Sequence, residues 1–342
     1  MRRLPAEWEP QSGILLTWPH AHGDWKSKLD RVEPVFVNIA AHTSRYEKVL
    51  IACYDAAHQH HIAGLLQASS CEHDKIRFCI AESNDTWARD HGPITVTENE
   101  KPLLLDFSFN GWGNKYRAEK DNQLTRTLHA HKCLGESALQ TLDFVLEGGS
   151  IESNGQGVLL TTAQCLLTPT RNPGYNQSDI EHHLQQWLGI NKTLWLTQGE
   201  LEGDDTDSHI DTLARFSDTN TIVYTHCDDK NDAHYNALQL MEDELNAFTQ
   251  DSELALKLVA LPLPEARYNA KGNRLPATYA NFLIINHAVL VPVYAAPQDE
   301  AALSILRECF PGRKIIPINC NALIEQYGSL HCVTMQLPEG VL

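Results

Sequence analysis

The chain has 342 residues, 42% hydrophobic and 21% charged, the balance of a soluble globular protein with one large domain or two ordinary ones. Its 27 basic and 44 acidic residues give a net charge of −17, which argues against nucleic acid or anionic membrane as partners and favours cationic ligands. The N-terminal run lacks an apolar signal-type stretch, no segment approaches the roughly 20 apolar residues of a membrane span, and the nine scattered cysteines contain no Cys-x-x-Cys pair, so the expectation is a reduced, cytoplasmic protein with neither a disulfide framework nor a tetrahedral zinc site.

Apolar β-rich runs predict strands over Gly13–Trp18, Lys48–Tyr54, Ile76–Ala81 and Pro102–Phe109. Apolar spacings of three and four predict helices over Leu29–Tyr46, Ala56–Gln67 and Ala118–His131. A strand over Gly157–Leu167 and a helix over Gln177–Leu188 follow, then strands over Thr193–Thr197, Ile210–Phe216 and Thr221–Thr225. The pattern closes with a helix over Asp232–Phe248, strands over Lys257–Pro262 and Asn281–Val293, a helix over Gln298–Phe310 stopped by Pro311-Gly312, and a strand over Lys314–Ile318. Pairs of strands followed by a helix recur about every 55–70 residues, a period that hints at radial repetition of one unit. No Gly/Ser linker divides the chain, so one domain over 1–342 is expected. His58, His60 and His61 on the second helix, and the acidic loops Asp204–Asp207 and Asp228–Asp232, read as solvated surface and not as metal sites.

Four clusters carry chemistry: Trp87-Ala-Arg-Asp-His-Gly-Pro93, Leu146-Glu-Gly-Gly-Ser150, Ser208-His-Ile-Asp211, and Gly328-Ser-Leu-His-Cys332. Each alone is ordinary. A single Cys is commonly a small buried hydrophobe, a His-x-Asp on a strand is a same-side pair, Asp90 suits a turn, and Glu147 suits an acidic loop cap. Together they offer a nucleophile, a base and three carboxylates, the groups needed to attack a guanidinium carbon. That cation is planar, resonance-stabilised and permanently charged, so it must be held in carboxylate forks and met by a strong nucleophile. Asp90 and Asp211 are the candidate forks, Glu147 a third acid, Cys332 the nucleophile, and His209 the group that protonates departing ammonia and then activates water. Trp87 and Trp112 are candidate stacking walls. This chemistry calls for no metal and no organic cofactor.

The sequence resembles the agmatine deiminase and bacterial peptidylarginine deiminase family, within the guanidine-modifying pentein superfamily. The resemblance runs almost end to end, through Leu4-Pro-Ala-Glu-Trp-Glu-Pro10, Trp87-Ala-Arg-Asp-His-Gly-Pro93, Asp106-Phe-Ser-Phe-Asn-Gly-Trp-Gly113 and Glu147-Gly-Gly-Ser-Ile-Glu152. It continues through Thr168-Pro-Thr-Arg-Asn-Pro173, His209-Ile-Asp-Thr-Leu-Ala-Arg-Phe216, Tyr279-Ala-Asn-Phe282 and His331-Cys-Val-Thr-Met-Gln-Leu-Pro338. It implies an α/β-propeller of five ββαβ-like units around a pseudo-fivefold axis, with Cys332 as nucleophile, His209 as acid/base, Asp90 and Asp211 as guanidinium ligands, and Glu147 and Trp87 lining the pocket. The implied reaction converts agmatine and water to N-carbamoylputrescine and ammonia, towards putrescine. Two departures touch the substrate end: Gln326-Tyr-Gly-Ser stands where the family has a run of glycines, and Ser208 where it often has glycine. Free arginine and peptidyl-arginine are therefore the alternative substrates, an amidinotransferase or an inactive binding homologue the alternative classes, and a homo-oligomer is left open.

Overall fold

The computed structural model describes residues 2–342. Six sheets are present among them, and five share one pattern. Two antiparallel strands form a hairpin, and a third lies parallel on the second after a helical crossover. Parallel strands cannot be joined by a tight turn, so each crossover carries a helix. The pattern is built from Ile94–Glu98, Lys101–Ser108 and Ala138–Val145, then from Ile151–Ser153, Val158–Thr162 and Lys192–Leu196. It returns in Ala214–Asp218, Thr221–His226 and Lys257–Pro262, and in Leu283–Ile285, Ala288–Val293 and Lys314–Asn319. In the fifth sheet the hairpin is replaced by the chain's two ends: Thr334–Pro338 lies antiparallel on Gln11–Thr17, which runs parallel to Lys48–Cys53 and Ile76–Ile80. A two-stranded ribbon, Arg267–Tyr268 with Arg274–Leu275, completes the set.

The helices form where the spacing predicts. Leu29–Thr43 buries Val32, Val35, Phe36 and Ile39 on one face. Gln177–Leu188 begins with an Asn176–Asp179 capping box and stops at Gly189, whose φ of 73° suits glycine. The largest apolar cluster joins the sheet holding both chain ends to that of Ala288–Val293, the latter two sharing Trp18, Phe36, Phe282 and Leu290.

Several expectations change in detail. Asn281–Val293 is not one strand, because Asn286-His287 makes a two-residue hairpin turn with His287 at φ 64°. Gly157–Leu167 ends as a strand at Thr162, whose hydroxyl caps the short helix Ala163–Leu166. Ala118–His131 narrows to a 3-10 turn and the helix Leu124–Ala130. The strands Ile94–Glu98, Ala138–Val145, Ile151–Ser153 and Thr334–Pro338 were not foreseen. Ala138–Val145 alternates exposed and buried positions with polar residues between, so it lacks an apolar run. The chain is also not fully reduced: Cys79, on the strand Ile76–Ile80, is disulfide-bonded to Cys133. Among the described residues no helix is long and apolar enough to cross a membrane.

Candidate active site

The four sequence clusters meet where strands end and turns begin. Asp90 lies in the one-turn helix Ala88–His91, and the Arg89 N–H donates to the Cys332 carbonyl at 3.1 Å, tying this turn to the one before Thr334–Pro338. The Gly149 N–H donates to Asp90 Oδ1 at 3.0 Å. A Cβ on Gly149 would fall 2.6 Å from His209 Nδ1 and 2.8 Å from Asp90 Oδ1, so Glu147-Gly-Gly is a steric requirement of the site as well as an acidic loop. His209 and Asp211 do not lie on a strand as expected. Asp207 and Ser208 take left-handed φ values of 69° and 62°, and a 3-10 turn over Ile210–Thr212 then brings both side chains inward before the strand starts at Ala214.

Cys332, His209, Asp90, Asp211, Trp87 and Trp112 line one cavity of about 220 Å³. His209 Nδ1 is 3.6 Å from Asp90 Oδ1, and Trp112 Nε1 donates to Asp90 Oδ2 at 3.0 Å. Cys332 Sγ is 3.8 Å from Asp211 Oδ2 and 3.4 Å from Asn281 Oδ1. Asp211 Oδ1 is buried without a hydrogen-bond partner. Trp87 packs against Gly328, where a Cβ would meet its ring at 2.1 Å, and its Nε1 donates to half-buried Asp85 at 2.9 Å. Glu147 is placed differently. It is fully buried behind His209, paired with Arg171 Nε at 2.8 Å, and is not among the residues lining the cavity. The cavity mouth is acidic: Asp24, Asp204 and Asp205 line it with Tyr116, Gln326 and Tyr327. The loop expected to be merely solvated thus faces the site.

Burial sets unusual protonation. It pushes Asp90 up to about 6, opposed by His209 and reinforced by the like charges of Asp211 and Glu147. Burial opposes protonation of His209, but Asp90, Cys165 and Glu147 overcome it and lift its pKa well above the ordinary value. Burial, then Asp211 and Asp90, push the Cys332 thiol well up, against smaller help from Ser329 and Asn281. Asp211 goes the other way: burial is outweighed by His331, His209 and Arg215, and its pKa is lowered.

A sequence profile of the Porphyromonas-type peptidyl-arginine deiminase family matches residues 3–338. The chain belongs to this family. A solved structure described as the "putative arginine deiminase" of Porphyromonas gingivalis is 47% identical and covers both chains in full with a TM-score of 0.93. The agmatine deiminase of C. jejuni, solved with substrate bound, is 36% identical with a TM-score of 0.92, covering 100% of this chain and 98% of that one. A relative from Marinomonas sp., named "putative agmatine deiminase", is 32% identical over 98% of this chain and 94% of its own.

Around this candidate site stand residues that sequence reasoning passed over. His331 bridges two carboxylates, with Nδ1 2.8 Å from Asp211 Oδ2 and Nε2 2.7 Å from Glu7 Oε2. Glu7 also takes Arg215 at 2.9 Å, and Arg215 reaches Glu152 at 2.5 Å. Burial opposes the charge on Glu7, but Arg215, His331 and Arg89 hold its carboxyl well below the usual range. Asn281 accepts from the His331 N–H at 2.9 Å and fixes the turn that presents Cys332. Arg171 joins Glu147 to Asp207 at 2.5 Å and to the Thr206 carbonyl at 2.8 Å, so it anchors the turn carrying His209. The available signal was a buried-type Glu, Asn, Arg or His inside each quoted motif, but a single sequence gives no way to see which of these point inward.

Proposed function

We propose that this chain is a deiminase of a small cationic guanidine, with agmatine as substrate and N-carbamoylputrescine and ammonia as products. The observation that carries the reading is the pairing of a buried thiol with two buried carboxylates around one cavity, Cys332 with Asp90 and Asp211. The guanidinium lies between Asp90 and Asp211, which accept its N–H groups in charge-assisted bonds. Burial, then Asp211 and Asp90, keep Cys332 a thiol; the charge of the bound cation offsets the carboxylates, so the thiol loses its proton to solvent and the thiolate forms when the cation is bound. The thiolate attacks the guanidinium carbon, and protonated His209 gives its proton to the departing nitrogen as the C–N bond breaks. Ammonia and a Cys332-linked thiouronium result. Neutral His209 then takes a proton from water as the oxygen attacks the same carbon. The adduct expels Cys332 sulfur, its hydroxyl proton is lost, and the ureido product leaves.

The acidic mouth and the absence of Lys or Arg from the cavity lining support a distal ammonium over a distal carboxylate. An α-carboxylate there would meet Asp204 and Asp205 with no cation in the cavity lining to pair it, Lys115 being held by the Asp205 carbonyl and Asp207 outside it, a penalty of several kcal/mol. Trp87 and Trp112 would wall the guanidinium and its stem. Glu147 acts in this reading through His209. The five recurring sheet units support a pentein propeller around a pseudo-fivefold axis, one catalytic domain over 1–342, working in the cytoplasm without a cofactor. The test is ammonia release from agmatine, free arginine and a blocked peptidyl-arginine. Agmatine should dominate in kcat/KM and keep its lead in high salt, where surface attraction is screened. Equal turnover of arginine would overturn the substrate, and no release from any of the three would overturn the chemistry.

A further inference from the structure

Behind His209 lies a second thiol that the deimination does not use. Cys165 belongs to the short helix Ala163–Leu166 and is fully buried. Its sulfur, a His209 ring nitrogen and a Glu147 carboxylate oxygen all lie within 4.8 Å of one another. Glu147 Oε1 is taken by Arg171, but Oε2 is buried without a hydrogen-bond partner. His209 Nδ1 faces Asp90, and Nε2 is likewise buried without a partner. Two unpartnered polar atoms in one buried cluster are unusual, because buried polar groups are nearly always bonded. One sulfur, one imidazole nitrogen and one carboxylate oxygen are also the mixed, borderline-soft donors that zinc takes.

We infer that Glu147, Cys165 and His209 form a site for Zn²⁺ or a similar borderline divalent ion, and that filling it switches the protein off. Zinc–ligand bonds of about 2.0–2.3 Å require the three donor atoms to draw together slightly, which rotations of the His209 ring and the Cys165 thiol supply. Binding releases the thiol proton; because Glu147 is already paired with Arg171, the ion's charge is met by the Cys165 thiolate together with the Glu147 and Asp90 carboxylates. His209 lines the substrate cavity, so the fourth position can be filled by water from that side. An ion on His209 removes its lone pair from proton transfer. The ion binding itself stands apart from the deiminase reading; only its effect on turnover rests on that reading.

The test uses Co²⁺ as a spectroscopic probe and Zn²⁺ as inhibitor of the full chain. Wild-type protein should bind one Co²⁺ with a thiolate-to-cobalt charge-transfer band that Zn²⁺ abolishes. Cys332→Ser should keep the band, and Cys165→Ser should lose it. In the activity assay, Cys165→Ser should need at least about tenfold more Zn²⁺ for half-inhibition, as expected on loss of one ligand. A band that disappears in Cys332→Ser and survives in Cys165→Ser would place the ion on the nucleophile and overturn the proposal, as would failure of wild-type protein to bind either ion. Should Cys165→Ser not fold, the band in Cys332→Ser alone decides, because Cys332, the thiol that shares the cavity with His209, is then gone. Cobalt binding without agmatine turnover would leave this site standing and remove the deiminase reading instead.

Discussion

Asp90 and Asp211 are the same residue type, both buried and both lining one cavity, yet the fold holds them in opposite states. Asp211 is backed by a chain of charge that runs through His331 to Glu7 and Arg215. Asp90 has a tryptophan N–H, one backbone N–H and His209, and it faces two like charges. Asp211 is therefore ionised over the neutral range, while Asp90 is pushed up to about 6 and stands close to protonation. Ionisation of a buried carboxylate depends on what supports it from behind. In the proposed mechanism one wall is a fixed anion, and the other is completed by the cation it binds.

The largest effect should come from the group both walls serve. Cys332→Ser should abolish turnover, and wild-type protein quenched during reaction should carry an amidino adduct on Cys332 by mass spectrometry. Retained activity in the serine variant would end the proposed mechanism. Next come the walls themselves. Asp211→Asn and Asp90→Asn should each cost on the order of 2–5 kcal/mol in kcat/KM, because a desolvated guanidinium loses a charged partner. Asp211→Asn should cost more, since it also leaves His331 with a neutral acceptor in place of a charged one. Equal, near wild-type values for the two would dissolve the comparison.

A smaller effect reaches Asp211 from behind. Glu7→Gln keeps the shape but removes a carboxylate shared by Arg215 and His331. Breaking such a buried network typically destabilises by about 3–5 kcal/mol. Part of that should appear at the site as a fall in kcat that Glu7→Asp partly restores. Full activity in Glu7→Gln at a lowered melting temperature would reduce Glu7 to a structural role.

Much of this site was legible in the sequence because catalysis needs reactive residue types, and those are few. Cys332, His209, Asp90 and Asp211 could be named from chemistry and motif before any coordinates, and the structure brings all four to one cavity. The helices and most apolar strands were legible for a related reason: burial of one face leaves a period. What could not be read was direction. Glu147 looked like a pocket acid and is held behind His209 by Arg171. Asp204 and Asp205 looked like solvent-facing loop residues and line the mouth. His331 is chemically as suggestive as His209, but only the turn before Thr334 shows that it faces Asp211. The Cys79–Cys133 bond was missed because spacing alone gives no distance in space.

The difference between the walls should also appear in pH dependence. The Asp90 pKa is raised above its unfolded value of roughly 3.9. Folding therefore takes up a proton there between about pH 4 and 6, and the cost of burying the charge is felt fully only above 6. Binding of a guanidinium needs the charged form. The kcat/KM profile should thus fall on the acid side with an apparent pKa near 6, while kcat, measured with the cation bound, should hold to lower pH. Coincident limbs in the two profiles would contradict a substrate-completed wall.

The two tryptophans offer the finest cut. Trp112 Nε1 donates to Asp90 Oδ2 at 3.0 Å, whereas Trp87 Nε1 donates to Asp85 at 2.9 Å. Both line the cavity, so replacing either by Phe keeps an aromatic wall and removes one N–H. A hydrogen bond to a charged group contributes about 1.5–3 kcal/mol, and each 1.36 kcal/mol corresponds to one pKa unit. Water entering from the cavity should replace part of that bond. Trp112→Phe should therefore move the acid limb of kcat/KM upward by about one unit, with a modest loss at neutral pH. Trp87→Phe should leave the limb where it is, because its lost bond ends on a different carboxylate, and should act mainly through KM. If both variants shifted the limb alike, or neither did, the acid limb would not belong to Asp90, and the contrast between the two walls would have to be sought in another group.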